Sequence, residues 1–380
     1  MTTFRGFNVG LLCIYLFFTA SNSYVKGAWA QSPDTTSSIQ LIPRTKEDRE
    51  RRYQDEHRIV LAVRVMDFLG KPVTGLKADD FSLLDNQKPQ KIARFREVDG
   101  KTFTVKTHVI IVLDGINDDG SSFGHVKKGL DQFLSEDTGV LPFPLSLVFI
   151  SSAGVSRTQA STDRAAIALR LGHLSRLPRD QDCEQPNLNI YEGVGTRMLP
   201  TEKEKVECRF SHFSESIKAL RSLLGEKQNA RVRDRTILIW TGPGWPRAVL
   251  RRGNYPDLLV ELNTNLRQAQ VTLDAISFSD FDPGQSMMTA TGKVPQTPDN
   301  IAAEGMKLQV LARQNGGQAI AKTRNFADAM SKCMDDFNNF YILSFDSTPA
   351  AAADEFHSID VNVNRPGVIV RTADSYYAQP

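Results

Sequence analysis

The sequence predicts an α/β fold: a mostly parallel sheet covered by helices on both faces, flanked by a small antiparallel β unit built from its two terminal segments. Three observations predict it. From Thr107 onward, short apolar runs alternate with amphipathic helical stretches, the pattern of parallel strands joined by crossover helices. Before Thr107 and after Asp346, apolar and polar residues alternate one by one, as in half-buried antiparallel strands. The run Thr107-His-Val-Ile-Ile-Val-Leu113 ends on Asp114 and a polar turn. An acidic group is thereby placed at the carboxyl end of a buried strand, where open α/β sheets bind ligands.

Residues 1–30 read as a secretory signal: Arg5, an apolar run over 9–20, and the small-x-small site Ala28-Trp29-Ala30. The apolar run is shorter than an ordinary membrane span; the alternative is an uncleaved N-terminal anchor. No other segment is long and apolar enough to cross a bilayer, so the mature chain is expected to be secreted or periplasmic, without a transmembrane segment. Residues 31–57 form a polar linker, Ser/Thr-rich and then charge-dense over 46–52. Residues 58–100 form the β-rich flanking unit. Residues 59–65 alternate, Gly70-Lys-Pro-Val73 turns, and 81–84 and 92–95 are strands with Asp85-Asn86-Gln87 turning between them.

Residues 103–346 carry the α/β pattern. A helix with Phe123, Val126, Leu130, Phe133 and Leu134 on one face follows the first strand, with Ser122 as its cap. Strands are expected at 145–150, 236–240, 271–276, 319–321 and, last, 340–345. Helices are expected at 165–171, at 211–224 (stopped by Gly225), at 258–268, at 301–313 and at 326–337. Residues 347–380 return to alternation over 357–363 and 368–372 around Arg365-Pro366-Gly367. They read as a hairpin packed with the 58–100 unit. Residues 178–206 and 280–300 read as irregular.

Lys and Arg number 46 against 44 Asp and Glu, a net charge of +2, which gives a nucleic-acid or anionic-membrane partner no compositional support. Removal of 1–30 leaves Cys183, Cys208 and Cys333. In an exported protein a pair can be oxidised. Cys183 and Cys208 share one polar, irregular stretch and are the candidate disulfide. Cys333 falls on the stripe Phe326, Met330, Cys333, Met334, Phe337, the place of a buried thiol.

Two stretches resemble a known family. One is Val73-Thr-Gly-Leu-Lys-Ala-Asp-Asp-Phe81 with Leu84-Asp-Asn-Gln-Lys-Pro-Gln-Lys-Ile92. The other is Phe340-Tyr-Ile-Leu-Ser-Phe345, then His357-Ser-Ile-Asp-Val-Asn-Val363 and Arg365-Pro-Gly-Val-Ile-Val-Arg371. With the strand that ends on Asp114 between them, the chain from Ile59 onward resembles the von Willebrand factor A (vWA)-related proteins of the Acidobacterial type. The resemblance implies a Rossmann-like vWA domain with flanking β strands, in secreted or envelope proteins without a defined enzymatic activity.

Such domains commonly hold Mg²⁺ through Asp-x-Ser-x-Ser after the first strand, with a Thr and an Asp from two other loops. Mg²⁺ requires about six hard oxygen ligands in an octahedral array. Here Asp114 matches the first position, Ile116 stands where an oxygen is needed, and Asp118 replaces the second Ser. Thr241-Gly-Pro-Gly-Trp245 carries a hydroxyl where a carboxylate is expected, and Thr196 is a candidate for the remaining Thr. The site reads as degenerate, with Asp114 its one clear metal ligand, so no cofactor is expected and Mg²⁺ is the ion that a completed site would take.

No Gly-x-Ser-x-Gly elbow, His-Glu-x-x-His or phosphate loop is present. Gly242-Pro243-Gly244 reads as a structural turn, because Pro243 and Pro246 remove N–H donors. The expectation is a non-enzymatic exported protein that binds another protein or an extracellular polymer through Asp114, Asn117, Asp118, Ser121 and Thr241 at the carboxyl edge. The alternatives are a hydrolase built from Ser122, His125 and Asp114, and a structural envelope component that makes its contacts through the β unit.

Overall fold

Strand β1 (Arg58–Asp67) sends Ile59, Leu61, Val63 and Val65 to one buried side, the period-two pattern that a pleated strand imposes. β2 (Phe81–Asp85) turns into β3 (Lys88–Gln90) through Asn86 and Gln87, whose φ angles are 47° and 63°. Two successive left-handed residues are what a two-residue hairpin turn requires. The sequence placed one strand after this turn. The structure has two, because β3 stays beside β2 whereas β4 (Arg94–Asp99) crosses to another sheet.

A computed structural model describes residues 57–99, 107–117, 122–136, 139–174, 183, 187–191, 194–228, 235–242, 244–245, 255–277, 308–321, 323–335 and 339–380. The expected signal at 1–30, the linker to residue 56 and the loop 280–300 lie outside them. No helix among the described residues is long and apolar enough to cross a membrane.

The α/β part begins with β5 (Thr107–Asp114), buried from Val109 onward. A strand apolar on both sides must be covered on both faces. After it come α1 (Ser122–Ser135), β6 (Leu145–Ser151), β7 (Gly154–Arg157) and α2 (Arg164–Leu174). β8 (Asn187–Tyr191) and β9 (Val194–Met198) form a hairpin inside the stretch that reads as irregular. Then follow α3 (Glu202–Gln228), β10 (Arg235–Thr241), α4 (Tyr255–Gln268), β11 (Val271–Ile276), α5 (Leu308–Gln314), β12 (Ala319–Ile320) and α6 (Phe326–Asp335).

The strand order is β12-β11-β10-β5-β6-β7, parallel except for β7. α3, α4 and α5 cover one face through Leu220, Leu262 and Leu311. α1, α2 and α6 cover the other through Leu130, Leu171 and Met330, with Cys333 buried among them. The fold is therefore α/β with helices on both faces. Two local expectations are corrected. Gly225 does not stop α3, which runs on to Gln228 through open space around that glycine. Ser122 is the first residue of α1 rather than its cap, and position 121 lies outside the described residues. The structural cap is visible at α2 instead, where Asp163 Oδ1 accepts from the backbone N–H of Ala165 and Ala166.

The last four strands correct the reading of the tail. β13 (Asn339–Asp346), expected to close the α/β sheet, lies between β1 and β4, antiparallel to both. An apolar run of that length suits a central strand of either sheet; Tyr341, Leu343 and Phe345 decide it by packing on Ile59, Leu61 and Val63. The α/β part thus ends before residue 339, not at 346. β14 (Glu355–Val363) and β15 (Val368–Arg371) are not a hairpin. β14 pairs with β2 and β16 (Ser375–Ala378), while β15 pairs with β1. The turn over 364–367 carries the chain from one sheet to the other, so that Val368 and Val370 reach the shared core. The result is a sandwich of β15-β1-β13-β4 on β16-β14-β2-β3, drawn from both terminal segments.

One polar cluster is sealed inside this sandwich. Asp85 accepts from Thr348 N at 3.1 Å, Thr348 Oγ1 at 2.6 Å and Tyr376 Oη at 2.9 Å, and His357 Nδ1 stands 2.8 Å from its other oxygen. A buried carboxylate is tolerated when its lone pairs are met in this way.

Candidate functional site

Asp114 sits where the strand order reverses. The chain builds outward through β6 on one side of β5 and through β10 and β11 on the other, so the crevice between the carboxyl ends of β5 and β10 is the switch point of the sheet. Asp114 is only 2% exposed there. Its Oδ1 accepts from the backbone N–H of Ile116 at 3.1 Å and of Asn117 at 3.0 Å. Its Oδ2 accepts from Asn117 Nδ2 at 2.9 Å and from Trp240 Nε1 at 3.0 Å. A carboxylate offers about four lone-pair sites, two on each oxygen, and four donors fill them. Burial raises the pKa of this carboxyl, and the bonds from Asn117, Trp240 and Ile116 pull it part of the way back.

The walls follow from the same residues. Gly115 lies so close to β6 that a Cβ there would meet the Phe149 ring at 2.6 Å and Ile150 O at 2.8 Å. Gly242, with φ 144°, brings its backbone against Asp114, where a Cβ would sit 3.0 Å from the Asp114 Cβ. Ile116 is buried in the core that α3 covers. Trp245 folds back onto the edge and meets Trp240 at 6.0 Å and Phe213 of α3 at 5.7 Å, both edge-on, the geometry that aromatic quadrupoles favour. Asn117 Nδ2 also donates to Ser216 Oγ at 2.8 Å, tying the loop to α3.

This arrangement sorts the residues singled out from the sequence. Asp114 and Asn117 are brought together. Thr241 is 1% exposed and donates its hydroxyl to Val112 O at 2.8 Å. Asp114 and Thr241, read from the sequence as ligand contacts, both lie beneath the edge with their polar atoms engaged by internal bonds. Of these residues, Asn117 is part-exposed. Asp118, Ser121 and the side chain of Thr196 lie outside the described residues. Cys183 and Cys208 are joined as a disulfide, with their Cα atoms 5.7 Å apart, beside His212 of α3.

The described donor set does not fit the Mg²⁺ of the vWA pattern. Asp114 has no lone pair to spare, Ile116 offers none, and Thr241 already uses its proton on the main chain. A hydrolase through Asp114 meets the same obstacle, since a triad acid must accept a bond from the imidazole it orients and His125 lies on an exposed face of α1. The sequence reading missed Trp240, Trp245 and Ser216. Trp240 Nε1, buried on a central strand, finds its partner in Asp114, but the pairing of β10 with β5 that brings them together is non-local.

Neither a family model nor a curated protein matches the chain. Among solved structures it is similar to a pilus adhesin, SpaC, from Lactobacillus rhamnosus GG at 10% identity, covering 79% of this chain and 41% of that one with a TM-score of 0.36. It is similar to the manganese-loaded Plasmodium vivax TRAP protein at 12% identity, covering 77% and 98% with a TM-score of 0.32. It is similar to a von Willebrand factor type A protein from Catenulispora acidiphila at 11% identity, covering 79% and 74% with a TM-score of 0.29. At these scores the likeness carries no functional argument; the fold is read from the strand order of this chain.

Proposed function

We propose that this chain is an exported, non-enzymatic vWA-like protein that binds a protein or an extracellular polymer through the loops at the carboxyl edge of its parallel sheet, without a metal ion. The observation that carries this reading is the closure of Asp114. The group that the vWA pattern would give to a cation is instead a buried cross-brace between β5, β10 and the Asn117 loop. The edge then acts through surface shape, with Asn117 and the loops after β5, β10 and β11 as its contact elements. The Cys183–Cys208 disulfide supports an oxidising compartment. A second reading, contact through the β sandwich, is favoured by Phe68 at 79% exposure, with Leu69 and Ile369 also exposed near the same end of β1.

Calorimetry with Mg²⁺, Mn²⁺ and Ca²⁺ on the wild type and Asp114→Ala, beside capture from envelope extract with and without chelator, tests the reading. Silence with each ion and capture indifferent to chelator are expected. Capture that chelator abolishes overturns the metal-free edge, and turnover of ester, phosphate or glycoside substrates overturns the non-enzymatic one.

A further inference from the structure

A cavity of about 520 Å³ opens between the outer face of the β15-β1-β13-β4 sheet and the amino-terminal edge of the parallel sheet. Strand alternation explains its floor. β1 and β13 turn Ile59, Leu61, Leu343 and Phe345 into the sandwich, and the opposite side presents Val60, Ala62, Ile342 and Ser344. β4 follows the same rule. Arg94 lies beside Ser344 and Arg96 beside Ile342 in the register, so two guanidinium groups flank a strip of small and apolar side chains. The other wall is made by the first residues of β10 and β11 and the last turns of α4 and α5.

Six arginines line this one space, and no Asp or Glu stands among its described lining residues. Some are used by the fold. Arg58 pairs with Asp346 at 2.8 Å, Arg64 Nη1 donates to Gly316 O at 2.9 Å, and Arg235 lies over the Phe340 ring. Arg94 and Arg96 are exposed and bonded to no carboxylate among the described residues. Two donors on lining residues, Arg267 Nε and Ser344 Oγ, are shut off from solvent without a hydrogen-bond acceptor. Burying a donor unmet costs free energy. A lining that carries six guanidinium groups and no carboxylate among its described residues is an arrangement that an oxyanion would satisfy.

We propose that this cavity is an anion-binding site for a small molecule bearing two or more phosphate or sulfate groups. Guanidinium forks match tetrahedral oxyanions, which present acceptors in every direction. The volume exceeds that of one phosphate, and the strip of Val60, Ala62 and Ile342 suits the body that joins the anionic groups. The site is distinct from the Asp114 edge, at the opposite end of the strands.

Titration calorimetry at low salt, with tripolyphosphate and separately with sucrose octasulfate, tests it on the full chain, on Arg94→Gln/Arg96→Gln and on a control, Lys203→Gln/Lys218→Gln on α3. Both arginines are exposed, so that variant is expected to melt with the wild type. Saturable one-site binding of either probe, weakened at least about tenfold in the arginine variant and unchanged in the lysine control, is expected. Binding of tripolyphosphate alone assigns a phosphorylated ligand, and of sucrose octasulfate alone a sulfated saccharide. No saturable binding of either probe, or equal affinity in the wild type and the arginine variant, overturns the proposal.

Discussion

Trp240 Nε1 donates to Asp114 Oδ2 at 3.0 Å across the seam between β10 and β5. The bond joins neighbouring strands at the point where the sheet changes direction, and it uses an acceptor that a cation would otherwise need. A buried indole N–H left without an acceptor costs free energy, and so does a buried carboxylate left without donors. Each solves the requirement of the other.

Replacing Asp114 therefore costs stability before it touches binding. Asp114→Asn turns an NH₂ toward donors, and Asp114→Ala leaves four of them unmet. Losses of about 2 kcal/mol for Asn and more for Ala are expected. Urea unfolding of both variants checks this, and an unchanged midpoint for Asp114→Ala would refute it.

Ile116→Ser restores the vWA residue at that position without restoring a site. Because Asp114 remains engaged by its four donors, added Mg²⁺ should not shift the melting temperature of this variant. The lost packing and the buried hydroxyl should lower stability by about 2–4 kcal/mol. A Mg²⁺-dependent rise in its melting temperature would show that Asp114 can be released.

His108 on β5 makes the stability of the α/β part depend on pH. Its Nδ1 lies 3.0 Å from Lys227 Nζ and its Nε2 3.3 Å from Ser146 Oγ. Nδ1 therefore accepts from the ammonium and Nε2–H donates. Burial, then Lys227 and Arg157, lower its pKa to about 4. Between pH 6.5 and 4 the unfolded chain takes up a proton that the folded chain refuses, so stability falls with falling pH in that window. Allowing for partial exposure, the contribution is about 1–2 kcal/mol. Denaturation curves from pH 7 to 4 should be shallower in His108→Gln; an equal slope would sink the assignment.

In the sandwich, Asp85→Ala orphans Thr348 N and leaves Thr348 Oγ1 and the Tyr376 hydroxyl to His357 Nδ1, at 3.4 and 3.0 Å; the pKa of that hydroxyl is raised first by burial and then by Asp85 itself. A loss of about 3–5 kcal/mol is expected by chemical denaturation. Asp85→Asn, which keeps one carbonyl acceptor, should lose less.

Gly317→Ala is a test of close approach. A Cβ there would stand 1.9 Å from Leu273 O, a clash with backbone that no rotamer relieves. Destabilisation of about 3 kcal/mol or more is expected from thermal melts.

What the sequence disclosed and withheld divides along local and non-local lines. The apolar run of β5, the stripe through Met330 and Cys333 in α6 and the Asp114 turn were readable, because each is a periodicity or an end signal within one segment. The place of β13 was not. Its residues suit either sheet, and only pairing with Arg94 and Arg58, far off in sequence, decides between them. The β8–β9 hairpin was missed because the alternation Asn187-Leu188-Asn189-Ile190 is only four residues long and Val194-Gly-Thr-Arg-Met198 does not repeat it. At the site, Asp114 was legible as a position but not as a closed group, since closure depends on Trp240 and on the α3 residue Ser216. The arginine-lined cavity left a trace, Arg58, Arg64, Arg94 and Arg96 on one face of their strands, whose meaning appears only when the second wall is in place.

The pairing of β4 with β13 bears on how this molecule carries load. The chain leaves the sandwich along β4, builds the whole α/β part, and returns along β13 as its hydrogen-bonded neighbour. In mechanical terms the α/β part is a very large loop at the tip of a hairpin. Tension applied through the sandwich passes from one of these strands to the other across their ladder and goes around the parallel sheet. A load between the two ends of the chain therefore reaches the parallel sheet only once that ladder has opened.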